Sequence, residues 1–131
     1  MKYLLDTNIC IYYMKGLYNL DEKIKKVGVE NCYISEITLA ELKYGVENSE
    51  RKKKNKKVLD IFLKGIKIMP IYNSLNFYAL EKARLRKLGN IVDDFDLLIG
   101  AGAVSNDMIL VTNNTKHFKK IDKIKIQDWT Q

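Results

Sequence analysis

The sequence is poor in the residues that most simply announce a fold or a chemistry. Two cysteines (Cys10, Cys32), one histidine (His117) and one proline (Pro70) are all that 131 residues contain. Each cysteine lies in an apolar segment with no second Cys or His at ligand spacing, which excludes a disulfide framework and a structural zinc site. Both read as small buried hydrophobes in a reducing compartment. No G-x-S-x-G elbow, Walker loop or dinucleotide fingerprint occurs, so covalent serine catalysis and nucleotide binding drop out. Long apolar runs are missing too. Asp6 interrupts the N-terminal one, and no other stretch approaches the roughly 18–20 apolar residues of a membrane span. The expectation is a cytoplasmic protein with no membrane partner. With no linker, repeat or low-complexity tract, residues 1–131 are expected to form a single domain, long enough to bury its own core.

Positive charge, by contrast, is abundant. Lysine and arginine number 23 against 16 acids, a net charge of +7, which concentrates anions around the surface. RNA, DNA and an acidic protein all qualify as partners, and a basic protein with no nucleic-acid role is the bland alternative. The densest run, Arg51 to Lys57, precedes Val58, Leu59, Ile61, Phe62 and Leu63. It reads as the polar start and exposed face of a helix.

Short apolar runs at Tyr3–Leu5, Cys32–Ile34, Ile66–Ile71 and Met108–Val111 suit buried strands, with Ile124 and Ile126 on a short edge strand. Helices are expected from Asp6 to about Lys15, Leu20 to Val27, Glu50 to Lys64 and Ser74 to Leu88. Ser35 caps another to about Val46, with Ile37, Ala40 and Tyr44 on its buried stripe. A last helix carries Phe95, Leu98, Ile99, Gly102 and Ala103 on one buried face, and its small residues Gly100 to Ala103 let it approach a sheet closely. Strands alternating with helices imply an α/β fold: a three-layer α/β/α sandwich around a mostly parallel sheet of four to five strands.

In such sheets the functional crevice lies beyond the carboxyl ends of the strands. Asp6 follows the first strand, with Thr7 and Asn8 opening the next helix, and is as well explained as an N-cap as it is as a site residue. Glu41 sits at the edge of its helix's apolar stripe, where a carboxylate needs a cation or donor unless its head reaches water. Asp93, Asp94 and Asp96 head the last helix. One of the first two caps it, and three acids exceed what capping needs, which leaves Asp96 for the crevice. Thr112, Asn113 and Asn114 end an apolar strand in a hydroxyl and two amides. Hard divalent cations take oxygen ligands, and acids gathered from distant parts of the chain repel one another unless a cation compensates. His117, with no motif partner, reads as structural or solvent-facing rather than as a general base. Tyr12, Tyr13, Tyr44 and Phe62, at helical spacing, read as core.

Taken in order, Leu5-Asp6-Thr7-Asn8, Ser35 to Leu42, Phe95 to Ile99 and Val111 to Phe118 resemble the four signature regions of PIN domains. The closing Asp128-Trp129 and the short chain resemble the VapC toxin branch. The resemblance implies an RNA-cleaving, Mg²⁺- or Mn²⁺-dependent endoribonuclease, often dimeric, held inactive by a VapB antitoxin and inhibiting translation through tRNA or another structured RNA. Its acidic positions fall on Asp6, Glu41 and Asp96, with Asn114, or its neighbour Asn113, at a fourth position often acidic in the family, and with Thr112 in support. The implied mechanism is phosphodiester hydrolysis by a metal-activated water, Asp6 and Asp96 holding the metal and Glu41 completing its shell or accepting a proton. One metal or two is left open, as is a role for Asp93 or Asp94. Lys15, Arg51 to Lys57 (Lys52 and Lys53 among them), Arg84, Arg86 and Lys87 are candidates for RNA phosphates. The rivals are a PIN-fold binding module without turnover, a DNA-directed nuclease and, further off, a receiver-type signalling domain, which would need an aspartate after the third strand where Pro70-Ile71 stands.

Overall fold

Five short strands form the frame: β1 (Tyr3–Leu5), β2 (Cys32–Ser35), β3 (Lys67–Met69), β4 (Ile109–Val111) and β5 (Lys125–Gln127), all parallel, in the order β3-β2-β1-β4-β5. This is a computed structural model, and it describes all 131 residues. The expected strand count and direction hold, with every pairing parallel. The Ile66–Ile71 run contributes only its centre, because Pro70 has no N–H for a ladder bond. β3 also lies at the sheet edge, whereas the third strand of a flavodoxin-like receiver sheet lies inside it.

Seven helices cover the two faces: α1 (Thr7–Met14), α2 (Leu20–Val27), α3 (Glu36–Glu47), α4 (Lys52–Gly65), α5 (Leu75–Lys87), α6 (Asp94–Ser105) and α7 (Thr115–Phe118). Alternation along the strands divides the core. Leu5, Ile34 and Val111 face a cluster with Ile9, Leu42, Leu59 and Phe62 from α1, α3 and α4. Leu4, Leu110 and Met69 face the opposite cluster, with Leu85, Leu97, Ile99 and Phe118 from α5, α6 and α7. The expected three-layer sandwich is the observed one. No helix is long and apolar enough to cross a membrane.

Two helix phases differ from the sequence expectation. On α3, Ala40 is exposed and Tyr44 is 68% exposed, while Thr38 and Leu42 are buried. The hydroxyl of Thr38 is satisfied by a partner across the site, so a residue counted as polar lies on the inner face. On α6, Phe95 is exposed and Leu98 half-buried, whereas Leu97, Ile99 and residues 100 to 103 are buried. This helix is enclosed on nearly every side, so no single stripe describes it. Gly102 abuts Met69 and Leu4 of the sheet, as its small size suggested, and Gly100 instead receives Ile121 from the C-terminal segment. Of the four aromatics, Phe62 is core, Tyr12 and Tyr13 are half-buried, and Tyr44 is not core at all.

Candidate active site

β1 has β2 on one side and β4 on the other, and the chain leaves it in both directions across the sheet, so the β1–β4 boundary is the topological switch point where a crevice opens. Asp6 stands at the end of β1 and Thr112 at the end of β4. Their side chains meet there: Thr112 Oγ1 donates to Asp6 Oδ2 at 2.8 Å. The other carboxylate oxygen, Oδ1, accepts the Thr7 N–H at 2.8 Å and caps α1. Capping and site membership are therefore compatible, one oxygen to each direction. Asp6 is buried, and burial raises its pKa to about 6, against the two hydrogen bonds, with the charges of Asp96 and Glu41 adding to the rise.

Glu41 comes from α3, which Ser35 starts by accepting the Ile37 N–H at 3.1 Å. Its position three residues after the buried Thr38 and one before the buried Leu42 turns it inward more than the expected stripe did. Thr7 Oγ1 lies 2.7 Å from Glu41 Oε1 and 3.0 Å from Thr38 Oγ1. A hydroxyl has one proton, so Thr7 donates to the carboxylate while its lone pair receives the Thr38 hydroxyl. This short relay ties α1 to α3, and Thr38 is a part of it that the sequence did not reveal.

Asp96 projects from the first turn of α6. His117 Nε2 is 3.2 Å from its Oδ2. Burial holds the Asp96 carboxyl above its ordinary value, His117 pulls it down and Asp93 pushes it up. His117 thus stands inside the constellation rather than apart from it. Its sequence signals are a place within the Val111 to Phe118 signature region and a position five residues past Thr112, which are too weak to single out a residue.

A model of the PIN domain family matches residues 3–124. The chain is 40% identical to Ribonuclease VapC2 of Rickettsia felis, with 98% of each chain covered. It belongs to the PIN domain family, in its VapC branch. A second relative, the tRNA(fMet)-specific endonuclease VapC of Shigella flexneri, is 33% identical over 99% of both chains. In three dimensions the chain resembles the crystal structure of VapBC2 from Rickettsia felis bound to a DNA fragment from their promoter. There the TM-score is 0.91 at 36% identity, covering 98% of this chain and 99% of that one.

Around the three acids, the other positions of this PIN domain sort by their bonds. Asn114 gives its backbone N–H to Thr112 Oγ1 at 3.0 Å and has its side chain exposed. Asn113 turns its amide to Tyr12, 3.3 Å from the phenol oxygen, and Asn8 is exposed. Asp93 caps α6 through Phe95 N–H, and Asp94 is taken by Lys82 and Tyr78, both at 2.8 Å. Neither is turned to the crevice as Asp96 is. Lys15 and Glu41 line one groove of about 440 Å³ with Ile11, Leu42, Lys54 and Val58. Lys52 and Lys53 are exposed on the first turn of α4, as the helix reading required. Arg86 and Lys87 are exposed at the end of α5. Arg84 is committed elsewhere, to Glu81 through two bonds of 2.7 Å and to the Lys120 carbonyl.

The donor set suits a hard divalent cation. All of its charged ligands are carboxylate oxygens, and of the five ion pairs none includes Asp6 or Glu41. Asp6 has no protein cation acting on it and Asp96 only His117, which leaves negative charge uncompensated between them. No group of three or more Asp, Glu, His or Cys side chains is placed to hold an ion together. That arrangement fits an ion that keeps several waters and takes only one or two carboxylates directly.

Proposed function

We propose that this PIN domain is a divalent-metal-dependent endoribonuclease that hydrolyses RNA phosphodiesters, and that it acts as the toxin of a toxin–antitoxin pair. The observation that carries the reading is the buried Asp6 carboxylate, raised to about 6 and flanked by Glu41 and Asp96 with no protein cation to neutralise it. The VapC relatives supply the substrate class. The Shigella relative's name directs the choice to tRNA(fMet), and the VapBC2 structure directs the partner to a VapB-type antitoxin.

In this reading Asp6 and Asp96 would hold Mg²⁺ or Mn²⁺, with Glu41 as the third acid of the set. The ion when bound neutralises charge on the phosphate oxygens and acidifies a water. Thr112 and the Thr7 N–H fix both oxygens of Asp6, so the carboxylate enters the reaction already oriented. Thr7, bridging Thr38 and Glu41, orients the glutamate, whose remaining oxygen accepts the proton that the attacking water gives up. His117 steadies Asp96 from the far side. Inhibition of translation follows if the cut RNA is a tRNA. Leu80, Leu88 and Ile91 remain exposed around the end of α5, an apolar surface suited to a second copy of the chain.

Purified protein is incubated with a total small-RNA pool in Mg²⁺, Mn²⁺ or EDTA, beside Asp6→Ala and Asp96→Ala. The proposal expects metal-dependent cutting that both substitutions abolish, with the cut mapped to a tRNA. Equal cutting by wild type and variants, or no cutting by a folded protein freed of antitoxin, overturns it. The second result would leave an RNA-binding module in its place.

A further inference from the structure

The lysines beside His117 and in the segment beyond it have no part in the site described above. Lys116, Lys119, Lys120 and Lys123 are all exposed, and none makes an ion pair. They stand on a turn that is unusually well held. Phe118 and Ile121 are buried at 1% and 2% exposure, so apolar anchors alternate with the lysines. Ile121 packs onto Gly100, where any Cβ would overlap its Cδ1. Gly100 lies four residues after Asp96 on α6, hence on the same face one helical turn away. The turn is therefore seated on the face of α6 that carries Asp96, at a position about 6 Å along the helix axis from that residue.

A buried carboxylate completes the brace. Glu81 on α5 is 3% exposed and accepts the Asp122 N–H, while the arginine it holds, Arg84, donates to the Lys120 carbonyl at 3.1 Å. Two backbone groups of the turn are thereby tied to α5. Lys123 also adopts a left-handed backbone, φ 64°, where a glycine or asparagine would be less strained. Between Arg84 and these lysines lies an open hollow of about 530 Å³.

We propose that the Lys119–Lys123 turn is a phosphate-binding platform for the RNA strand leading to Asp96, and that Glu81 is the residue that positions it. The platform rests on the ribonuclease reading for the identity of its ligand. A polyanion whose scissile phosphate lies at the acids must run across a neighbouring surface, and this turn presents three lysines, with Lys116 just before it and Asp122 the only acid among them. The brace sets the backbone of the turn before RNA arrives, and its seat on α6 ties its lysines to the helix that carries Asp96, whereas lysines such as Lys25, Lys26 and Lys64 on other helices contribute only diffuse attraction.

Binding of a fluorescein-labelled RNA hairpin is measured by anisotropy in EDTA across a salt series, so that turnover plays no part. Lys119→Gln/Lys120→Gln/Lys123→Gln is compared with Lys25→Gln/Lys26→Gln/Lys64→Gln, exposed helix lysines of α2 and α4 whose loss removes the same charge, and thermal melting verifies both folds. The platform predicts at least a tenfold rise in Kd for the turn variant and a salt slope shallower by about two, against less than threefold for the helix variant. Glu81→Gln gives a sharper contrast. It makes the protein more positive, so diffuse attraction would tighten binding, whereas loss of the brace weakens it about three- to tenfold. Equal weakening by the two triple variants, an unchanged turn variant, or tighter binding by Glu81→Gln overturns the proposal. If wild type cleaves RNA while the turn variant binds normally, the platform alone fails. If wild type neither binds nor cleaves, the ribonuclease reading falls with it.

Discussion

Asp6 shows how a single residue can serve fold and chemistry at opposite cost. As a cap it stabilises α1, and as a buried anion beside two others it is destabilising. Its folded pKa of about 6 lies above the ordinary 3.8, so between those values the native state binds the proton more tightly than the unfolded chain does. Stability from this group is therefore present at low pH and is lost as pH rises from about 4 through 6, by on the order of 3 kcal/mol. Asp6→Asn keeps the cap and removes the charge. In EDTA its melting temperature should exceed that of wild type by several degrees at pH 8, and the gain should vanish near pH 4. Thr112→Val tests the same oxygen from the other side. It leaves Asp6 Oδ2 and the Asn114 N–H without their partner, and should cost about 1–3 kcal/mol in denaturant unfolding together with roughly tenfold in Mn²⁺ affinity.

At the scale of elements, the candidate site is a meeting of three helices. Asp6 caps α1, Glu41 rides on α3 and Asp96 sits in the first turn of α6, each helix beginning at the carboxyl edge of the sheet. Where α3 begins therefore sets where Glu41 lies. Ser35 is buried and supplies the cap, so Ser35→Ala should lower stability by about 1 kcal/mol, seen as a lower urea midpoint at unchanged slope. Ser35 is legible as a cap in the sequence alone, because serine ahead of an apolar-periodic segment has few other uses. The buried face of α3 is not. Thr38 counts as polar by type and lies inward only because Thr7, from a helix 31 residues away, meets its hydroxyl.

For the whole molecule, negative charge is concentrated at the crevice of a chain with a net charge of +7. The basic surface gathers a polyanion, and the acids would repel it at the point of cutting unless a cation intervenes. In the proposed function, metal binding and the native state are coupled. Mn²⁺ at about 100 times its Kd should stabilise wild type by roughly 2.7 kcal/mol in thermal or urea unfolding. Asp6→Asn and Asp96→Asn should lose most of that gain. A stabilisation equal in all three proteins would place the ion elsewhere.

The sequence by itself determined the layer architecture, the direction of the strands and the ends at which polar residues gather. These follow from periodicity, caps and short apolar runs, all local signals. It also nominated Asp6, which follows a strand, Asp96, which heads a helix, and Glu41, a carboxylate at the edge of an apolar stripe, each in a way that packing alone does not demand. Tertiary structure decided what depends on pairs far apart in the chain. It set His117 against Asp96 and joined Thr7 to Thr38. It turned Asp94 away to Lys82, and committed Arg84 to Glu81 and the Lys120 carbonyl rather than leaving its guanidinium free for phosphate. The phases of α3 and α6 belong with these. A helix enclosed on most sides, or one whose inner face carries a bonded hydroxyl, has no amphipathic stripe to read, and its orientation is fixed only by the neighbours that enclose it.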